Sequence, residues 1–148
     1  MIVSDAGPLI VLLQTNQLSI LKELFGKVNV PNAVYAEITV KEKATFSEAE
    51  WLKPVKVKKD NDYKLLENLV DAGEAEAIIL AKQLKLPLLV DDAKARKYAF
   101  LLNVEVIGTL GLLKLAKNRN IVPSVKAVIK EMLAEGYYID SRLIAKLL

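Results

Sequence analysis

The chain has 148 residues, the usual size of one folded domain and too short for two ordinary ones. Apolar residues make up 53% and charged residues 26% of the chain, as in folded soluble proteins, and the net charge is +3. Cysteine and histidine are absent, which excludes disulfides, thiolate or imidazole metal sites, and catalytic triads that use histidine. Catalysis would therefore depend on carboxylates, hydroxyls, lysines or a metal bound through oxygen.

The N-terminal segment is apolar but is a poor signal peptide. It has no basic residue ahead of its apolar stretch, and Asp5 and Pro8 interrupt it. No segment approaches the roughly 18 consecutive apolar residues that a membrane-spanning helix needs. We therefore predict a cytoplasmic location.

Five short apolar runs favour β-strands, and longer segments with helical spacing lie between them. The strands are predicted at residues 1–3, 28–30, 55–57, 88–90 and 104–107. Helical segments with apolar residues on one face are predicted within residues 18–25, 63–70 and 74–84. This alternation predicts an α/β fold with a largely parallel central sheet.

Two polar or amphipathic stretches complete the chain. Residues 41–54 are predicted to be a surface excursion, in which Ser47 and Glu50 form a capping box for a short helix carrying Trp51. Residues 124–148 are predicted to be two amphipathic helices. We expect a single domain over residues 1–148, with 124–148 as its C-terminal helical extension.

The two helices of this tail have recognisable boundaries. Ser124 and Asp140 are candidate N-caps, and Gly136 is the expected stop between the helices.

Acidic residues follow two predicted strands at their carboxyl ends. Asp5 follows the first strand, and Asp91 and Asp92 follow the fourth. Ligands bind at this edge of open parallel sheets, so the three carboxylates meet there if the two strands are neighbours. Glu37, in the helix after the second strand, and Glu74, at the start of a later helix, are placed to join them.

A cluster of carboxylates without histidine needs protons or cations to offset its charge. Mg²⁺ and Mn²⁺ prefer oxygen ligands, and at such a site they orient a water, lower its pKa and stabilise the charge that develops in phosphodiester cleavage. With the five acids set aside, 21 Lys and Arg residues stand against 13 other acids, a net charge of about +8. This balance suits a polyanionic substrate.

Each of these acids also has a structural interpretation. Asp5 is placed to cap a helix, and one of Asp91 and Asp92 is placed to cap the next helix, although not both. Glu37 is equally well an ordinary acid on a helix surface. Glu74 lies in a first helical turn, where the helix dipole favours an acid in any case.

Five sequence blocks contain these acids in order: "SDAGPLIVL", "VPNAVYAEI", "DAGEAEAIILA", "LLVDDAKAR" and "VIGTLGLLKLAK", between residues 4 and 117. Together they resemble the PIN-domain ribonucleases, and within that superfamily the VapC-like prokaryotic toxins. Each block alone is weak evidence for this family, but the five blocks in this order match it strongly. The resemblance implies a three-layer PIN-like fold, with the small sheet between helices, and a metal-dependent endoribonuclease using Mg²⁺ or Mn²⁺.

The resemblance also implies roles for individual residues. Asp5, Glu37 and Glu74 match three acids of the family, and the acid after the fourth strand is Asp92 or Asp91. The family pattern there, a hydroxyl residue, any residue and Asp, favours Asp92 as the direct metal ligand and Asp91 as a supporting acid. Val90 replaces the expected hydroxyl residue, so this register stays open.

Two further departures from the family pattern concern the number of metals and the rate rather than the fold. Glu74 stands where Asp is common, and Gly7 stands where Ser or Thr is common.

Basic and hydroxyl residues near the acids are candidate RNA contacts. Lys94, Arg96 and Lys97 follow the fourth strand and suit either a solvated helix face or a phosphate contact. Thr109 follows the fifth strand and is a candidate helix cap or substrate contact.

The resemblance further implies RNA as substrate, a small antitoxin protein as partner and a homodimer, with the apolar second helix or the tail from Ser124 as candidate contact surfaces. An alternative is a catalytically weak PIN-like module that binds RNA or protein. Phosphotransfer folds also place acids at strand ends, but Gly7 occupies the position where a haloacid-dehalogenase-like phosphatase needs a second Asp.

Overall fold

A computed structural model describes residues 1–147 and contains a five-stranded sheet with helices on both faces. The strands are β1 (Ile2–Ser4), β2 (Val28–Pro31), β3 (Leu52–Val55), β4 (Leu88–Leu89) and β5 (Val106–Ile107). The helices are α1 (Ala6–Gln14), α2 (Ser19–Phe25), α3 (Asn32–Ser47), α4 (Asn61–Leu66), α5 (Ala72–Leu84), α6 (Ala93–Leu101), α7 (Thr109–Asn118), α8 (Val125–Ala134) and α9 (Ser141–Leu147).

All pairings in the sheet are parallel, and the strand order is β3-β2-β1-β4-β5. Strand β1 is the central strand of the sheet. Every one of its residues is buried, as expected for a strand covered on both faces. It pairs with β4 in the register Val3 with Leu88 and Ser4 with Leu89. The α/β class and the parallel sheet predicted from the sequence are therefore confirmed, and β1 and β4 are neighbours.

Alternate strand residues point to two separate hydrophobic layers, as the pleat of a strand requires. Ile2 and Leu89 pack with α1, α2, α3, α7 and α8 on one face of the sheet. Val3, Leu88 and Val90 pack with α4, α5 and α6 on the other. The molecule therefore has the three layers, helices, sheet and helices, that the sequence predicts.

The segment predicted to be a surface excursion is mostly helical and partly buried. Helix α3 continues to Ser47 through a non-helical residue, Glu42, whose φ is −140° and ψ 61°. After this kink, Phe46 is fully buried in the core. The predictions of a capping box at Ser47 and of a helix carrying Trp51 were therefore wrong. Burial of the large Phe46 side chain outweighs the polar character of the neighbouring residues.

Two further boundaries differ from their predictions. Strand β3 lies three residues earlier than expected, because its pairing with β2 begins at Leu52. Pro54 is tolerated in it because β3 is an edge strand. Helix α4 begins after Asp60, whose carboxylate accepts the Tyr63 N–H at 2.9 Å, and ends at Leu66 rather than at residue 70.

The tail follows its prediction over the described residues. The Ser124 hydroxyl oxygen accepts the Ala127 N–H at 3.2 Å at the start of α8. Gly136 has φ +93° after the end of α8, and the Asp140 carboxylate accepts the Arg142 N–H at 2.8 Å before α9. Leu148, the last residue of the predicted extension, lies outside the described residues. Up to Leu147 the chain contains no helix long and apolar enough to cross a membrane.

The buried position of Phe46 predicts the outcome of a substitution. Phe46→Ala should lower the free energy of unfolding by about 3–5 kcal/mol, because it removes a fully buried aromatic side chain from a packed core. Val40→Ala, on the same helix but 86% exposed, should change it by less than about 0.5 kcal/mol. Urea unfolding of both variants checks this, and equal effects would contradict the buried position of Phe46.

Candidate active site

Asp5 lies directly beyond β1 and is the most deeply placed acid of the candidate site. Its N–H donates to the Leu89 carbonyl at 3.0 Å, which continues the β1–β4 ladder by one residue. The residue is 9% exposed and occupies the N-cap position of α1. Asp91 and Asp92 begin two residues after Leu89, so the neighbouring strands bring the three acids to one edge.

Glu37 and Glu74 reach the same edge from α3 and α5. The two helices pack closely at Gly73, where an added Cβ atom would lie 3.5 Å from Val34 and 3.8 Å from the Glu37 carboxylate. This contact places the Glu37 side chain beside the start of α5, one residue before Glu74. Glu37 itself is exposed on the surface of α3.

Burial and acidic neighbours raise the pKa values of Asp5 and Glu74. The pKa of Asp5 is raised to about 6, mainly by burial and further by Asp71, Glu37 and Asp92. The pKa of Glu74 is raised to about 7, mainly by burial and further by Asp71, Asp92 and Asp5. Five carboxylates therefore share one electrostatic environment, and four of them are acids that the sequence analysis selected.

Asp71 is the acid that the sequence analysis left out of the site. Its carboxylate accepts the Glu74 N–H at 2.7 Å, and the Glu74 carboxylate accepts the Asp71 N–H at 3.2 Å. The two residues thus form a capping box at the start of α5. The signal that identifies it is the Asp-x-x-Glu spacing before an apolar helix.

Asp92 is the N-cap of α6, the helix that follows, and Asp91 is not, as expected of a pair in which only one residue can cap that helix. The Asp92 carboxylate accepts the Ala95 N–H at 2.9 Å and caps α6. The Asp91 carboxylate accepts the Thr109 N–H at 2.7 Å and the Thr109 hydroxyl at 2.5 Å, at the start of α7. Asp91 reaches the start of α7 because β4 and β5 pair and the loops that follow them meet at the same edge of the sheet.

Thr109, a candidate RNA contact, is 2% exposed, and its hydroxyl is engaged with Asp91. Arg96 lies over the backbone of Gly108, where an added Cβ atom would come within 2.7 Å of its guanidinium and 3.0 Å of the Asp91 carboxylate. Glycine permits this close approach because it has no side chain. Lys94, the third candidate contact, is exposed on α6.

A cavity of about 380 Å³ adjoins the acidic edge. Glu37 and Asp91 line it on the side of the acids, and Lys41 and Tyr137 are among its other walls. The sequence analysis did not select Lys41 or Tyr137, because neither lies in a motif and nothing in the sequence places the tail beside α1.

The acids suit a hard divalent cation by their chemistry. Carboxylate oxygens are the donors that Mg²⁺ and Mn²⁺ prefer, and a cation would relieve the repulsion that helps to raise the pKa of Asp5 and Glu74. Over the described part of the chain, no three acidic side chains are arranged closely enough to hold an ion together. The residues therefore fit the ion by type and charge, and a tighter arrangement would have to form with it.

A parallel sheet between two helical layers, with acids at the carboxyl ends of its central strands, defines an α/β protein with an acidic site at one edge of its sheet. A family model described as a PIN domain matches residues 1–148. The chain therefore belongs to the PIN-domain family, whose members are in general nucleases that use divalent metal ions. No curated protein matches the chain.

The raised pKa of Asp5 predicts a pH-dependent stability. The folded carboxyl holds its proton up to about pH 6 and the unfolded one only to 3.8, so the folded protein loses stability as the pH rises through this range. Without metal, Asp5→Asn should raise the free energy of unfolding by about 2 kcal/mol near pH 8 and leave it almost unchanged below about pH 4. Urea unfolding in a chelator checks this; a gain that is independent of pH would contradict it.

The link between Asp91 and Thr109 predicts a second effect on stability. Thr109→Val keeps the shape of the side chain but removes the hydroxyl that donates to Asp91, and should lower the free energy of unfolding by about 1–2 kcal/mol. Thr45→Val, at an exposed position of α3, is the matched control and should have almost no effect. Thermal and urea unfolding measure both variants, and equal stabilities would show that the link is not stabilising.

Proposed function

We propose that this protein is an endoribonuclease that hydrolyses the phosphodiester bonds of RNA and depends on Mg²⁺ or Mn²⁺. The observation that carries the proposal is the buried carboxyl of Asp5 at the end of the central strand, in the field of Glu37, Glu74 and Asp92. A buried acid with several acidic neighbours destabilises the folded protein, and acids in such surroundings are typical of functional sites. Membership of the PIN-domain family supports the same function.

Asp5, Glu37, Glu74 and Asp92 are the residues that would hold the metal. When bound, the ion supplies a water of lowered pKa and offsets charge on the phosphate. The β1–β4 ladder positions the backbone of Asp5, and the capping hydrogen bond restricts the Asp92 carboxylate. Asp91 is a supporting acid, because its two oxygens are engaged with Thr109.

The basic residues of α6 are placed to bind the RNA backbone. Lys94 and Lys97 are exposed on the helix that Asp92 caps, and Arg96 reaches over Gly108 toward Asp91. Lys and Arg side chains bind phosphates largely by charge, so the contribution of these residues should weaken as salt is added.

The role of a toxin, the VapC-like branch and a small antitoxin partner are supported by the five sequence blocks.

A homodimer is proposed on the same basis. The two surfaces suggested for it are largely used inside the protomer, since Ile20 and Leu21 of α2 and Val128 and Ile129 of α8 are buried in the core. Exposed Tyr138 and Leu143 remain available in the tail. Light scattering over a range of concentrations tests the dimer, and a monomer throughout would remove it.

A catalytically weak module that binds RNA is the second candidate. The observation in its favour is that several acids are engaged with the backbone, since Glu74, Asp91 and Asp92 all accept N–H hydrogen bonds at helix starts. Such a module would bind RNA equally well before and after Asp5→Asn and release no products in either case.

A matched pair of variants on α5 tests the nuclease. Glu74→Gln should lower the rate of RNA cleavage with Mn²⁺ by at least about tenfold, which corresponds to about 1.4 kcal/mol in the barrier. The glutamine still accepts the Asp71 N–H, so the capping box and the fold are expected to survive. Glu76→Gln, two residues away on the same helix, is the control and should retain the wild-type rate.

Asp5→Asn should abolish cleavage in the same assay. Mg²⁺ should also raise the melting temperature of the wild type more than that of Asp5→Asn, because a ligand that binds only the folded protein stabilises it. The absence of cleavage by the wild type with every divalent cation, on structured and unstructured RNAs alike, would count against the nuclease.

A further inference from the structure

The cavity of about 380 Å³ is continuous with the acidic edge, because Glu37 and Asp91 contribute to its wall. Its volume lies in the usual range of ligand pockets, roughly 300–1,000 Å³. A substrate whose phosphate lies against the acidic edge would therefore have its adjoining group beside this cavity. The chemistry of the remaining walls indicates what that group is.

The cavity lining combines apolar side chains with an aromatic ring. Ile10 and Val11 of α1 line it, and so does the half-buried side chain of Tyr137. The Tyr137 hydroxyl donates to the Gln14 side chain, which ties the tail to the end of α1 and restricts the ring. Aromatic side chains of this kind stack on the unpaired bases of single-stranded RNA.

Two further residues fit the same occupant. Lys41 of α3 lines the cavity and supplies a positive charge for the phosphate that accompanies a base. Gly7 lines it from the first turn of α1, and an added Cβ atom there would meet no other atom within 4 Å. A side chain at position 7 would therefore have room beside the cavity.

We propose that this cavity binds one nucleobase of the RNA strand, next to the phosphate that the acidic edge receives. The proposal rests on the proposed function for the phosphate position, and it adds a base-binding subsite formed by Gly7, Ile10, Val11, Lys41 and Tyr137. Stacking on an aromatic ring tolerates every base, because each base has a π-face. The subsite therefore fixes the position of the strand more than its sequence.

The test compares small probes that do or do not carry a base. AMP and UMP are titrated into the ¹⁵N-labelled wild type with Mg²⁺, and ribose 5-phosphate, which has the same sugar and phosphate without a base, is titrated in parallel. We expect the nucleotides to shift the backbone amide signals of Gly7 and Tyr137, and to bind at least about 5-fold more tightly than ribose 5-phosphate.

Two substitutions locate the effect. Gly7→Leu fills the cavity from a position where the backbone has room for a side chain, and should remove the preference for nucleotides over ribose 5-phosphate. Tyr137→Leu should reduce this preference, whereas Tyr137→Phe, which keeps the ring, should retain most of it. Tyr138→Leu is the matched control, since Tyr138 is the next residue, is 89% exposed and does not line the cavity.

Three results would overturn the proposal: equal affinities for nucleotides and ribose 5-phosphate, a preference that persists in Gly7→Leu, or no shifts at Gly7 and Tyr137 with any nucleotide. Dispersed amide spectra of each variant show whether it is folded. None of these readouts requires cleavage, so a failure of the nuclease assay and a failure of the base-binding subsite are separate results.

Discussion

The parallel pairing of β1 with β4 determines where the acids of this protein meet. β1 occupies the centre of the sheet and is buried on both faces. Its ladder extends one residue beyond the strand, through the Asp5 N–H and the Leu89 carbonyl. This hydrogen bond holds Asp5 level with the last residues of β4, just ahead of Asp91 and Asp92. A shift of one residue in the β1–β4 register would turn Asp5 to the other face of the sheet and separate it from the other acids.

The same sheet topology also offsets part of the electrostatic repulsion among the acids that it brings together. Strands β1, β4 and β5 lead into α1, α6 and α7 at the carboxyl edge, and α5, which follows α4, also begins beside the acids. Helix N-termini carry partial positive charge and unpaired N–H groups. Glu74, Asp91 and Asp92 accept such N–H groups, whereas Asp5 is the most buried of the acids. The pKa values of Asp5 and Glu74 are nevertheless both raised, so a cation would offset charge at both carboxylates.

Local sequence signals were sufficient for part of this arrangement. Asp5, Asp91 and Asp92 could be predicted because strand ends and carboxylates coincide in the sequence. The burial of Phe46 could not be predicted, because it follows a kink at Glu42 that no residue type in the sequence indicates. The link from Asp91 to Thr109 joins residues 18 positions apart and becomes visible only when β4 and β5 are known to pair.

The C-terminal extension is part of the core and of the cavity wall rather than an addition to the surface. Val125, Val128, Ile129 and Met132 of α8 are buried with residues of α1, α2, α3 and α7. Because α8 is anchored in this way, the chain that follows it passes beside α1, and Tyr137 contacts Gln14. The tail therefore supplies an aromatic ring to the cavity that Glu37 and Asp91 also line. A PIN domain without these helices would retain the acidic edge but would lack this wall of the cavity.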